Sequence, residues 1–379
     1  MSPRFTPYLG IVAALALGVF IATFSGTTVV QHISESAVQN ASSTISVVTS
    51  GSTLPPIQLP DLESVAEIIA TSSTPATVPG KSAPLKTVSS APVTLPAPPV
   101  SSDWNAALDA SAFDLRSALV NIICYAPAGS RLRSISGSGV IIDSKGIILT
   151  NAHIAQNFLL KDQGVSCKIR AGGPATDKYE ASLIHIPFDW IKTNAKILTE
   201  TNPSGTGEYD FAFLAISKSV TRDELPASFP YIPLATLPPN IGTPVVIASY
   251  GAQFLESSQI RSSLFPTVVF GSVKNVFTFA STSIDVLALG GSAAAQEGSS
   301  GGGVADINGQ LVGTITTSTT KGTTDTRSLD AITASYIRAA YASETGEALD
   351  LLLAKPTASS ISAFAPQIPA LEAILTANL

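Results

Sequence analysis

The sequence predicts an all-β body between residues 103 and 345, either a sandwich or a pair of barrels. Short β-rich runs recur without helical stretches between them, among them Gly139-Val140-Ile141-Ile142, Val165-Ser166-Cys167-Lys168-Ile169 and Pro244-Val245-Val246-Ile247-Ala248. Turn signals separate such runs: Asn308-Gly309 lies between apolar segments, and Ser144-Lys145-Gly146 suits a three-residue hairpin loop. Hydrophobic residues make up 45% of the 379 and charged ones only 13%, enough apolar material for one sizeable core and too apolar for overall disorder.

Near the amino terminus, Tyr8 to Phe24 is an uninterrupted apolar run, and no Asp, Glu, Lys or Arg occurs between Arg4 and Glu35. Its length sits at the lower limit for a membrane-spanning helix and slightly above the usual apolar region of a cleavable signal. Residues 1–25 therefore read as a signal anchor, with a cleaved signal peptide as the alternative. Arg4 ahead of the run favours export of the chain on its carboxy-terminal side, so the body is expected outside the cytosol, membrane-anchored or secreted. Residues 26–102 form a Pro/Ser/Thr-rich tether holding 10 of the 26 prolines between Pro55 and Pro99.

At Asp103 the texture changes. Trp104, Leu108, Phe113, Leu115 and Leu119 suit an amphipathic helix leading into the strand Val120–Tyr125. β-runs then continue to Leu311-Val312-Gly313-Thr314-Ile315, and Asp330 to Ala342 has a helix start with apolar spacing. Residues 346–379 read as an ill-defined tail.

Composition excludes several functions. With 21 Lys+Arg against 27 Asp+Glu the formal charge is −6, which leaves no basic face for nucleic acid. The histidines are His32, His153 and His185, and with Cys124 and Cys167 they make no zinc-site spacing, so no metal or other cofactor is expected. His32 falls in the tether, and His185 reads as structural.

Three segments carry chemistry, each weakly alone. They are Thr150-Asn151-Ala152-His153, Tyr209-Asp210-Phe211 and Gly298-Ser299-Ser300-Gly301-Gly302-Gly303. A histidine after a strand is usually structural, an aspartate before one commonly caps a turn, and a glycine-rich loop can be plain linker. Together they supply what nucleophilic acyl transfer needs: a hydroxyl, an imidazole to take its proton, and a carboxylate to hold the imidazole's tautomer.

The stretches GSGVIIDSKGIILTNAHI, YDFAFLAI and AAAQEGSSGGGVADINGQLVGTIT resemble the trypsin-like, chymotrypsin-fold serine peptidases, and among these the bacterial HtrA/Deg-type enzymes. The resemblance implies two six-stranded Greek-key β-barrels with a C-terminal helix, acting on polypeptide substrates. It assigns His153, Asp210 and Ser300 as the triad and the N–H groups of Gly298 and Ser300 as the oxyanion hole. It also makes Ala294 the base of the primary specificity pocket and Thr314, Ile315 and Thr316 the strand that pairs with substrate.

An alanine at 294 leaves no acid for Lys or Arg, so a small or aliphatic residue is expected before the scissile bond. Ser299 stands where digestive relatives have the aspartate that receives a new amino terminus, so that activation route is not expected. Glu297 replaces the proline usual in HtrA-like sequences, and residues 346–379 are too short for the PDZ domain those enzymes usually carry. Cys124 and Cys167 can be a disulfide or two buried thiols. A catalytically inactive peptide-binding or scaffold module is the alternative to an enzyme, and an envelope spacer a third.

Overall fold

The computed structural model describes residues 102–200, 205–221, 223–279, 282–318 and 322–379. The expected membrane segment and all of the tether but Ser102 lie outside them. Among the described residues no helix is long and apolar enough to cross a membrane.

The chain enters through α1 (Ser102–Ala118). Its buried face is set by Ser111, Leu115 and Ala118, while Trp104 and Phe113 of the expected stripe are exposed. This face packs on β2 (Ile135–Asp143), β7 (Pro244–Ser249) and β11 (Gly303–Ala305), so α1 bridges the two halves of the body. The first half contains β1 (Leu119–Tyr125), β2, β3 (Ile147–Thr150), β4 (Ser166–Ala171), β5 (Thr176–His185) and β6 (Ala212–Ser219). These close a barrel in the order β1-β2-β3-β6-β5-β4. β1 and β3 are buried nearly end to end, which is why they read as continuous apolar runs rather than alternating ones. Cys124 and Cys167 face each other across β1 and β4 and form a disulfide.

Short helices punctuate this barrel: α2 (Ala152–Ala155), a 3-10 stretch Gln156–Gln163, and α3 (Phe188–Asn194) followed by a 3-10 turn Ala195–Leu198. The last two lie in the long stretch that precedes Asp210.

The second half contains β7, α4 (Ser257–Ser262), β8 (Thr267–Ser272), β9 (Asn275–Phe277), β10 (Val286–Ala288), β11, β12 (Leu311–Ser318) and β13 (Leu329–Thr333). The expected six-stranded barrel is here a seven-stranded sheet, ordered β8-β7-β11-β12-β13-β10-β9. The reason is local. β8 and β9 are parts of one run broken at Val273-Lys274, where the Val273 N–H turns to Thr243 O and the Lys274 N–H to Ala288 O. One part of the run therefore pairs with β7 and the other with β10.

The helix expected from Asp330 starts later. Leu329–Thr333 extends as β13, and α5 (Ala334–Thr345) begins after Thr333, whose hydroxyl accepts the Tyr336 N–H at 3.1 Å. The segment read as an ill-defined tail is helical: α6 (Leu349–Ala354), α7 (Thr357–Phe364) and α8 (Ile368–Thr376). Its apolar stripe is divided among short pieces, burying Leu349 and Leu352, then Phe364, then Leu371 and Leu375. Pro356 caps α7, and Pro366 and Pro369 stand in first turns, where a missing N–H breaks no intrahelical bond. α7 packs on β5 and β6, and α8 on α3 and the 3-10 stretch Gln156–Gln163.

Candidate active site

Antiparallel pairing of β3 with β6 sets Thr150 opposite Ala212. Residues just past the end of β3 therefore meet residues just before the start of β6. The His153 N–H donates to Asp210 Oδ1 at 3.0 Å, and His153 Nδ1 lies 2.7 Å from Asp210 Oδ2. Two more groups fix the carboxylate and its segment: the Thr316 hydroxyl donates to Asp210 Oδ2 at 2.9 Å, and Asn151 Nδ2 to the Asp210 carbonyl at 2.8 Å. Asp210 is 6% exposed. With Nδ1 engaged as donor to the carboxylate, neutral His153 carries its acceptor lone pair on Nε2.

Asp210 follows Tyr209, which has φ 55°, a left-handed conformation uncommon for a non-glycine residue. The Tyr209 N–H donates to the Tyr336 hydroxyl at 3.1 Å, and the two rings lie 6.0 Å apart. Burial raises the Tyr336 phenol well above its ordinary range, so it stays a neutral partner.

Ser300 sits on the loop before β11. It shares with His153, Asp210 and Thr316 the walls of one cavity of about 1050 Å³. The loop backbone is held through its carbonyls: Glu297 O accepts from the Ala252 N–H at 2.7 Å, and Ser299 O from the Gly302 N–H at 2.9 Å. In a planar trans peptide, C=O and N–H point opposite ways. The N–H groups of Gly298 and Ser300 therefore face away from those anchors, and neither has a hydrogen-bond partner among the described residues. Gly298 has φ 90° and Gly301 φ 84°. A Cβ on Gly301 would also collide with the Ser138 carbonyl. Two adjacent uncommitted donors beside a hydroxyl can receive a developing negative charge.

The other expected site residues fare differently. Ala294 is fully buried and does not line the cavity, whose walls include Gln296, Glu297, Thr316, Ser328 and Asp330. Thr314 and Ile315 are buried in the sheet, where the Thr314 hydroxyl donates to Gly302 O and the Ile315 N–H bonds to the same carbonyl. β11 pairs with β12 only as far as Thr314, while β13 continues to Ser318, so one edge of β12 is open from Thr316 onward among the described residues. Ser299 is buried, its hydroxyl accepting from Ser249 Oγ at 3.0 Å. His185 is buried against Phe211, Phe213 and Tyr341, away from the site.

Sequence reasoning did not single out Ser138, whose N–H and hydroxyl both reach the Ser300 loop. Its position inside Gly137-Ser138-Gly139 was the available signal. Nor did it predict the far wall of the cavity, built from Trp190, Ile197 and Leu198 of the long segment before Asp210. The cavity is acidic: Asp189, Glu200, Glu208, Asp210, Glu297 and Asp330 line it, with Arg133 the single Lys or Arg among the described lining residues.

Residues 137–313 match the family model described as a trypsin-like peptidase domain. The Rv3671c protease from M. tuberculosis, solved in its active form, aligns with 70% of this chain and 95% of its own at 20% identity and a TM-score of 0.40. No curated protein matches. The family match lies across both halves of the fold, so residues 137–313 form a trypsin-like peptidase domain and the chain is a serine endopeptidase.

Proposed function

We propose that the enzyme hydrolyses peptide bonds through Ser300, His153 and Asp210 by way of an acyl-enzyme. The observation that carries this reading is the doubly bonded His153–Asp210 pair in one cavity with Ser300, beside two N–H groups with no partner among the described residues. His153 Nε2 takes the proton as Ser300 Oγ attacks the carbonyl carbon, and Asp210 stabilises the imidazolium. The Gly298 and Ser300 N–H groups receive the oxyanion. Collapse expels the amine with the proton from His153, and water repeats the sequence on the ester. Removing one such donor costs about 3 kcal/mol of transition-state stabilisation. A fluorophosphonate is expected to label the wild-type chain and not Ser300→Ala. Equal labelling of both, or none of either, overturns the assignment and favours the inactive binding module.

Substrates are extended or unfolded polypeptide segments, which the open edge of β12 from Thr316 to Ser318 suits for strand addition. For the residue before the scissile bond we favour small or aliphatic side chains, because alanines 293 to 295 supply no carboxylate to a cation there. A peptide-library digest tests this preference: cleavage after Ala, Val or Ile is expected, and cleavage after Lys or Arg would overturn it.

We also place the body outside the cytosol, tethered by the apolar run Tyr8–Phe24 or released from it. The Cys124–Cys167 disulfide supports an oxidising compartment. Protease accessibility of the body in intact cells is the expected result, and protection until lysis would contradict it.

A further inference from the structure

We infer that Asn151 is a positioning residue for the triad, its side-chain amide holding the main chain of Asp210 instead of capping the helix that carries His153. This role rests on Ser300, His153 and Asp210 acting together as proposed above.

Asn151 stands where α2 begins, and asparagine is among the residues that best cap such a position, its side-chain oxygen accepting an N–H of the first turn. Here that bond is not made. The His153 N–H, which a cap would take up, donates to Asp210 Oδ1 at 3.0 Å. The Asn151 amide is engaged elsewhere, Nδ2 donating to the Asp210 carbonyl at 2.8 Å. A carbonyl oxygen only accepts, so the amide nitrogen must face it, and Oδ1 is the end left over. Oδ1 has no hydrogen-bond partner among the described residues, and Asn151 is fully buried. A bare acceptor shut away from water is unfavourable, and in a native fold such a group calls for a reason. The reason lies at the other end of the same amide.

β3 and β6 pair as far as Thr150 and Ala212. Past that rung the chain leaves the ladder for α2, where the Asn151 carbonyl accepts from the Ala155 N–H at 2.9 Å. The side chain of Asn151 then supplies the donor that holds Asp210, two residues before Ala212. The carbonyl it grips is bonded directly to the Cα that bears the carboxylate side chain. On the other flank of that Cα, the Asp210 N–H donates to Gly207 O at 3.1 Å. With both flanks held, Oδ1 and Oδ2 meet the His153 N–H and Nδ1 together.

Serine separates capping from positioning. It caps as well as asparagine does, but its hydroxyl is one bond shorter than the amide arm that reaches the Asp210 carbonyl, and in the capping place it competes with Asp210 Oδ1 for the His153 N–H.

The test compares wild type, Asn151→Ser and Asn151→Ala in the full chain by thermal melting, peptide kinetics and the rate of fluorophosphonate labelling. Asn151→Ser is expected to melt within about 4 °C of wild type while its kcat falls about 10- to 100-fold, short of the loss expected when Asp210 itself is changed. KM stays within about twofold, and labelling slows in step with kcat, since both need the activated hydroxyl. Asn151→Ala, which neither caps nor donates, loses kcat at least as far. Should Asn151→Ser not melt cooperatively, Asn151→Ala decides on the same criteria. A folded variant with wild-type kcat and labelling rate overturns the inference, as does a loss confined to KM. So does full activity in Asn151→Ser beside a loss in Asn151→Ala, the pattern of a mere cap. If wild type itself takes no fluorophosphonate at Ser300, it is the underlying reading that fails.

Discussion

Asp210 shows how much a single side chain carries. It accepts from the His153 main chain, the His153 ring and the Thr316 hydroxyl while almost fully buried, so each lone-pair direction has a task. Asp210→Asn keeps the shape but offers Nδ1 a donor or a weaker acceptor, favouring the wrong imidazole tautomer. We expect kcat to fall by roughly four orders of magnitude with KM little changed, measured with a peptide substrate; a loss under tenfold would remove Asp210 from its role. Gly301→Ala is expected to abolish activity and lower the melting temperature, since its Cβ would meet the Ser138 carbonyl in a backbone that disfavours side chains. Asp210 could be proposed from the sequence because its chemistry lies in its type and local context. Ser138 was not, since the partners of its hydroxyl, Gly298 and Tyr250, lie more than a hundred residues away.

The open edge of β12 depends on a register that no local signal reports. Thr314 and Ile315 have the β-branched character of a substrate strand, yet Thr314 pairs with Gly303 of β11 and the Ile315 N–H and C=O are bonded to Gly302 and Gly301, so the free edge begins only at Thr316. α6, α7 and α8 escaped notice for a related reason: each is too short to show a sustained stripe, and their stability comes from packing rather than propensity. Truncating Leu375, fully buried in α8, to alanine is expected to cost about 2–5 kcal/mol. Because α8 supports α3 at the cavity wall, KM should rise as well, as denaturant melts and peptide kinetics will show. α5 contributes a pH-dependent tie. Burial alone would raise the Glu344 carboxyl, but the imidazole of His185 and the Phe188 N–H, which donates to Glu344 Oε1 at 2.8 Å, hold it below the usual range. His185 Nε2 lies 3.4 Å from Glu344 Oε2 without forming a hydrogen bond, so the Phe188 bond is the firmer anchor. A lowered carboxyl stabilises the fold above the ordinary carboxylate range, near pH 4.3, and that contribution disappears as pH falls through the lowered value. Wild type should therefore melt above Glu344→Gln at neutral pH, with the gap closing below about pH 4. A gap independent of pH would contradict this.

At the scale of the molecule, the all-β class and the order of its strands were readable from turn signals and apolar runs. The closure of the second half was not, since the break at Val273-Lys274 carries neither glycine nor proline. Two halves meet at one seam, where β2 of the first and the Ser300 loop of the second are joined by Ser138 and bridged by α1. The disulfide acts on the first half alone. It joins residues 43 apart, a loop whose closure contributes about 4 kcal/mol in the chain-entropy model. Replacing both cysteines by serine should lower stability by that order while leaving kcat at low temperature near wild type. The catalytic reading as a whole stands on Ser300, His153 and the two loop N–H groups acting on one tetrahedral centre, which a crystal structure of the fluorophosphonate adduct tests most directly. The predicted result is phosphorus bonded to Ser300 Oγ, its oxygen about 3 Å from the Gly298 and Ser300 nitrogens, and His153 Nε2 facing the same centre. An adduct on another residue, or one whose oxygen points to solvent with the imidazole turned away, would contradict it.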